Sequence, residues 1–130
     1  MVQRGAVAQY VLLVEDDFLL GTLVAEMLVD AGHTVIGPFP DTPQSLDALA
    51  DRKVCAAILD INLRDGPCFR IAERLVSENI PLIFYTGHSA QKIPDAYCTY
   101  PIISKTAPPQ ILLATLEKLL KQASGDQRTA

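Results

Sequence analysis

Five polar side chains in this sequence stand where short apolar runs end. Glu15 and Asp16 follow the run 10–14, Asp60 follows 55–59, Thr86 follows 82–85 and Lys105 follows 101–103 after one serine. Carboxylates gathered in one place repel one another strongly unless a cation or a proton intervenes. Magnesium suits such a group, because it takes octahedral oxygen ligands and is commonly held by one or two carboxylates, with waters and a phosphate completing its shell. An ammonium and a hydroxyl facing the metal would neutralise and orient phosphoryl oxygens once the Asp60 carboxylate has attacked phosphorus. Each residue alone has a plainer reading: Asp60 as a turn or helix-cap residue, Asp16 as a cap, Thr86 as a strand end, Lys105 as a solvated charge.

The elements between these residues decide whether they meet. Residues 10–14 read as a first strand, and 18–31 as an amphipathic helix, since Leu20, Leu23, Val24, Met27, Leu28 and Ala31 recur at helical spacing and Gly32 stops it. A second strand spans 33–39, broken by Pro38 and Pro40. Thr42-Pro43 opens a short helix that buries Leu46, Leu49 and Ala50. The small and branched run before Asp60 reads as a strand buried on both faces, which points to a parallel sheet. A helix over 67–78 buries Phe69 or Ile71, with Ala72, Leu75 and Val76, and a fourth strand covers 82–85. Residues 89–96 form a short or irregular helix, because Pro94 interrupts the pattern. A brief fifth strand at 101–103 precedes a last helix opened by Pro108-Pro109, and the tail from Ser124 is polar and frayed.

Strand and helix in alternation predict an α/β, flavodoxin-like (βα)5 fold: a doubly wound parallel sheet of five strands in the order 2-1-3-4-5, with helices on both faces. In such a sheet ligands bind beyond the carboxyl ends of the strands, so all five polar residues share one edge.

Composition sets the outer bounds. At 130 residues, 49% hydrophobic and 20% charged, the chain fits one soluble domain. A net charge of -4 and no cluster of Lys and Arg argue against a nucleic-acid surface. The apolar runs are too short to span a membrane and the start does not read as a signal peptide, so the expected location is the cytoplasm. Cys55, Cys68 and Cys98 suggest neither a disulfide framework nor a zinc site and read as buried small apolar residues. His33 reads as a polar edge residue, and no Ser-His-Asp order or His-rich metal spacing supports a hydrolase.

The acidic pair in Val-Glu15-Asp16-Asp17, the Leu-Asp60-Ile-Asn62-Leu box, Phe84-Tyr85-Thr86-Gly87 and Ile-Ser-Lys105 together resemble the receiver domain of two-component response regulators. The resemblance runs from about Tyr10 to Gln122. It divides the chain into an extension over 1–9, the receiver over 10–123 and a polar tail over 124–130. It implies that Asp60 is phosphorylated from the phosphohistidine of a histidine kinase or histidine phosphotransfer protein. Asp16 would bind Mg2+ directly, Glu15 mainly through water, and Asp60 and the main-chain carbonyl of Asn62 would complete the protein ligands. Thr86 and Lys105 would bind phosphoryl oxygens, while Asn62 and His88 would tune access of the hydrolytic water.

Four departures from the family pattern stand out. The loop after Asp60 is short, reaching Gly66 early and without a proline, as in the single-domain regulators often associated with a divergent class of histidine kinases. Thr106 follows Lys105 where the family has a cis proline, and cis costs about 3 to 4 kcal/mol at a non-proline bond, so a trans bond with a rearranged, imperfectly aimed Lys105 or a strained cis bond is expected. Ile102 occupies the position of the family's switching aromatic, leaving Tyr97 and Tyr100 as partly exposed rim residues or as substitutes for it. The segment 89–96 is short where the family has a regular helix on its output surface.

Three functions compete on this reading. The first is a phosphoryl-accepting signalling protein, not an enzyme beyond its own phosphorylation and dephosphorylation, that acts through a protein partner or drains phosphoryl groups, as a monomer or a phosphorylation-linked dimer. The second is a pseudo-receiver that binds partners without switching. The third is an aspartyl-phosphate phosphatase, which Asn62 disfavours because an amide two residues past the nucleophile cannot accept and donate protons in turn.

Overall fold

A computed structural model describes residues 9–87 and 93–129, with side chains described as far as Ala123. Five parallel strands form the sheet: β1 (Tyr10–Val14), β2 (Thr34–Phe39), β3 (Val54–Leu59), β4 (Leu82–Thr86) and β5 (Ile102–Ser104), in the spatial order 2-1-3-4-5. Four helices connect or follow them: α1 (Phe18–Asp30), α2 (Thr42–Asp51), α3 (Phe69–Ser77) and α4 (Pro109–Thr129). This is the flavodoxin-like arrangement expected from the alternation of patterns. None of the helices is long and apolar enough to cross a membrane, among the described residues.

Side-chain alternation along the strands sorts the core into two layers. Val11 and Leu13 with Ala56, Ile58, Ile83 and Tyr85 face Val24 and Leu28 of α1 and Leu112 and Leu116 of α4. Leu12, Val14, Ala57, Leu59, Leu82 and Phe84 face Ala48 and Leu49 of α2 and Ile71, Ala72 and Leu75 of α3. Successive side chains of a strand point to opposite faces, so a strand covered by helices on both sides must be apolar throughout. Central β3 obeys this from Ala56 to Leu59, whereas edge strand β2 is only half-buried.

Caps and turns explain the element ends. Asp17 caps α1 by accepting from Leu20 N–H, and Gly32 leaves that helix with φ 99°. Asp41 caps α2 by accepting from Gln44 N–H, with proline in the first turn. The helix expected from residue 67 begins at Phe69 instead, because Gly66–Pro67 pairs antiparallel with Asn62–Leu63 in a small hairpin. Ile71, not Phe69, is the fully buried residue at the start of α3. The described part of 89–96 and the residues after it carry a 3-10 turn at Asp95–Tyr97, and the helical backbone of α4 runs past Ser124 to Thr129. Leu23, expected on the buried stripe of α1, is exposed, since Gly21, Val24 and Leu28 form the face against the sheet. Cys68 is buried and Cys55 half-buried, but Cys98 is exposed because it lies in the turn after the 3-10 segment. His33 is tied across the sheet edge to α4, its Nε2 lying 3.2 Å from Glu117 Oε2.

Two glycines test how tightly β2 is packed. Gly37 has φ 116°, and a Cβ there would sit 2.3 Å from the Leu13 carbonyl oxygen. Gly32 also has positive φ, but a Cβ there would meet nothing within 4 Å. Gly32→Ala is therefore expected to cost about 1 to 2 kcal/mol of backbone strain, and Gly37→Ala more than that because overlap with backbone adds to it. Urea unfolding of the two variants measures the difference, and equal midpoints would contradict it.

Candidate functional site

The hydrogen-bond ladders run one step beyond the strands and bring their ends together. Glu15 N–H donates to the Phe39 carbonyl at 2.8 Å, Asp60 N–H to the Val14 carbonyl at 2.9 Å, and Lys105 N–H to the Thr86 carbonyl at 2.8 Å. Strand ends that are chemically unrelated in sequence are thereby held in register along one edge of the sheet. Glu15, Asp60 and Thr86 are buried there, with 3%, 5% and 6% of their surfaces exposed, while Asp16 is exposed.

Lys105 crosses this edge. Its Nζ lies 3.0 Å from Asp60 Oδ2, 2.8 Å from Glu15 Oε1 and 3.0 Å from Glu15 Oε2, and it donates to Oε2. Asp17 N–H also donates to Glu15 Oε2. Glu15 Oε1 is buried and close to the ammonium, yet no donor meets it at hydrogen-bonding geometry. Burial pushes the Glu15 carboxyl up to about 7, against the pull of Lys105 and the Asp17 amide, and the neighbouring Asp60 charge pushes the same way. Burial also raises Asp60, and Lys105 again opposes it. Desolvation alone would lower Lys105, but its hydrogen bonds to Glu15 and Asp60 outweigh that and hold it above the usual lysine value.

One oxygen from each of Glu15, Asp16 and Asp60 lies within 4.8 Å of the others. Three carboxylates face one ammonium, so the cluster is acidic even with Lys105 in place. Hard oxygen donors, an excess of negative charge and an undonated buried oxygen fit a divalent cation such as Mg2+. The hairpin adjoins the cluster through Asn62. Cys68 N–H donates to the Ile61 carbonyl at 2.9 Å, which makes Asn62 and Pro67 a non-hydrogen-bonded pair. In such a pair the main-chain groups turn away from the partner strand. Asn62 N–H donates to Asp60 Oδ1 at 3.3 Å.

No protein-family model and no curated protein matches the sequence. Solved structures do. SdrG from Sphingomonas melonis Fr1 is 28% identical, with a TM-score of 0.75, over 88% of this chain and 98% of that one. The CheY-like response regulator receiver domain protein from Methanospirillum hungatei JF-1 is 19% identical, with a TM-score of 0.81, over 91% and 98%. The non-phosphorylated HemR receiver domain from Leptospira biflexa is 24% identical, with a TM-score of 0.75, over 86% and 94%. The chain has the fold of response-regulator receiver domains.

Within this fold the sequence-derived residues Glu15, Asp16, Asp60, Thr86 and Lys105 lie at the same sheet edge, with Asn62 in the adjoining hairpin. His88 lies outside the described residues. Gly87 is exposed, and a Cβ there would come within 3.8 Å of the Lys105 side chain. One expectation needs correction. Among the described residues the cis peptide bond is Gly37–Pro38, so the bond from Lys105 to Thr106 is trans, yet Lys105 is not misaimed. The turn is closed instead by Ser104, whose carbonyl accepts from Ala107 N–H and whose hydroxyl oxygen accepts from Thr106 N–H at 3.0 Å. The Ser104 and Thr106 hydroxyls share a further hydrogen bond at 2.7 Å.

Tyr97 and Tyr100 are partly exposed, as expected, but they also pack against the core. The Tyr97 ring stacks on Phe69 at 5.7 Å between centroids and meets Phe84 edge-on at 6.1 Å, and Tyr100 leans on it. Phe84 precedes Thr86 by two positions on β4, so an aromatic cluster adjoins the site although Ile102 itself is exposed. Sequence reasoning also passed over Asp17 as a donor to Glu15 and over Asp65, which hydrogen-bonds Thr42. The only signal for Asp65 is its place before Gly66 in a tight turn.

The raised carboxyls fix the sign of a pH effect. Between about 4.5 and about 7 folded Glu15 keeps a proton that the unfolded chain has released. Folding stability in chelator-containing buffer is therefore expected to fall as pH rises through that window, with raised Asp60 adding in the same direction. Glu15→Gln, which cannot ionise, is expected to flatten the fall. Thermal unfolding across the window checks this, and identical profiles for the two proteins would contradict it.

Proposed function

We propose that this receiver accepts a phosphoryl group on Asp60 from the phosphohistidine of a histidine kinase or phosphotransfer protein, in the cytoplasm and with Mg2+. The observation that carries the reading is the aim of Lys105 at a buried strand-end carboxylate inside an acidic cluster. Receiver domains generally act as signalling domains rather than enzymes, and in this reading the chain turns over nothing except its own phosphate.

An Asp60 oxygen attacks phosphorus, the phosphorus–nitrogen bond of the donor breaks, and the imidazole leaves with the electron pair. Mg2+ held by Asp16, Asp60 and the Asn62 carbonyl, with Glu15 through water, would neutralise charge between the carboxylate and the phosphoryl oxygens. Lys105 starts on Asp60 Oδ2 and is placed to follow the charge onto a phosphoryl oxygen as the carboxylate becomes an acyl phosphate. Thr86, at the end of the neighbouring strand, offers its hydroxyl to another. Asn62 N–H remains on Asp60 Oδ1 and steadies the group that reacts. The phosphorylated form then acts through a protein partner, alone or as a dimer, or serves as a sink for phosphoryl groups.

The pseudo-receiver reading draws on Ile102 and Thr106. It is the weaker one, because the Ser104 turn compensates for the missing proline and leaves Lys105 engaged.

Incubation with acetyl phosphate and Mg2+ is expected to add one phosphoryl mass that hydroxylamine removes, with none in Asp60→Ala. Lys105→Ala is expected to slow incorporation on the order of 100-fold, as for loss of one charge-stabilising donor. Unmodified wild-type protein in intact-mass spectra would overturn the reading.

A further inference from the structure

The hairpin after Asp60 is anchored at its tip as well as at its base. Arg64 N–H donates to the Pro40 carbonyl at 3.1 Å. Asp65 Oδ1 accepts from both Thr42 N–H at 3.1 Å and the Thr42 hydroxyl at 3.3 Å, across 23 residues of chain. Thr42 is buried and opens α2, so the Asp65 carboxylate also lies at a helix N-terminus, where the dipole favours negative charge.

That helix already has a cap. Asp41 accepts from Gln44 N–H and Gln44 Nε2, as an N-cap residue ordinarily does. The second carboxylate comes from a distant loop, and what it adds is a tie between that loop and the helix. The tie matters because the hairpin is only two residues a side, and an isolated pair of that length has no stability of its own. Asn62 is exposed, and its hydrogen bond to Asp60 is long. Buried Leu63 and the bonds of Arg64 and Asp65 are what keep its main chain in place from the far side.

We propose that Asp65 is a positioning residue: through Thr42 it holds the loop whose Asn62 main chain closes the site beside Asp60. Its effect on the metal rests on the phosphoacceptor reading, while the tie itself does not.

Three variants separate positioning from stability: Asp65→Ala, Asp65→Asn and Asp41→Ala. Three measurements on each are amide hydrogen exchange in metal-free protein, Mg2+ affinity by NMR titration, and thermal unfolding. Asp65→Ala is expected to speed exchange at the Asn62 and Arg64 amides by roughly tenfold and to weaken Mg2+ binding by about tenfold, the lower end for lost outer-shell support. Asp65→Asn keeps a carbonyl oxygen for Thr42 and is expected to restore most of both. Asp41→Ala uncaps the same helix, so it is expected to lower the unfolding temperature while leaving loop exchange and Mg2+ affinity near wild type. Wild-type exchange at Asn62 in Asp65→Ala, or the same loop effects in Asp41→Ala, would overturn the proposal. Failure of the wild-type protein to bind Mg2+ would sink the phosphoacceptor reading instead, and exchange at Asn62 would still decide the tie.

Discussion

The Lys105 ammonium, set between Glu15 and Asp60 at the edge of the sheet, is the interaction on which the site depends. Two carboxylates cannot be buried side by side without compensation, since burial and mutual repulsion both push them toward the neutral form. One shared cation makes the arrangement tolerable but does not neutralise it, because exposed Asp16 adds a further negative charge. The remaining imbalance is the chemical property of the site. It favours a cation at the carboxylates and holds an ammonium against Asp60.

That ion pair is possible only because the parallel sheet delivers all its strand ends to one side. Each ladder continues by one hydrogen bond past its strand, so Glu15, Asp60 and Lys105 start from main-chain positions fixed by neighbours. The apolar interior of β1, β3 and β4, packed by α1 and α4 on one face and α2 and α3 on the other, sets those positions without polar compromise. Polar residues then cluster where the apolar runs stop.

The departures from the usual family pattern are absorbed locally. Where a proline would preset the turn after Lys105, the Ser104 hydroxyl and carbonyl close it with a trans peptide bond. Hydrogen bonds thus replace a covalent restriction, and the lysine keeps its reach. Exposed Ile102 provides no ring near Thr86, but Tyr97, stacked on Phe69 and edge-on to Phe84, places aromatic surface beneath the strand that Thr86 ends. An aromatic side chain brings large buried area and geometry-sensitive contacts. Packing of Phe84 against Tyr97 thus joins β4 to the Asp95–Tyr97 turn.

The sequence by itself determined the order of elements, the sheet topology and the acidic, threonine and lysine residues at strand ends. It could do so because apolar periodicity and the stops that end it are properties of consecutive residues. Element ends were less legible: the helix start moved to Phe69 because Gly66–Pro67 is held by a cross-hairpin pairing that no local pattern announces. Only the tertiary structure decided that Lys105 reaches Glu15 across 90 residues as well as Asp60, that Tyr97 stacks on Phe69, and that Asp65 bonds Thr42. Those contacts depend on how separate elements are placed against one another, and the hydrogen bonds that fix the placement join residues whose spacing along the chain carries no trace of their distance in the fold.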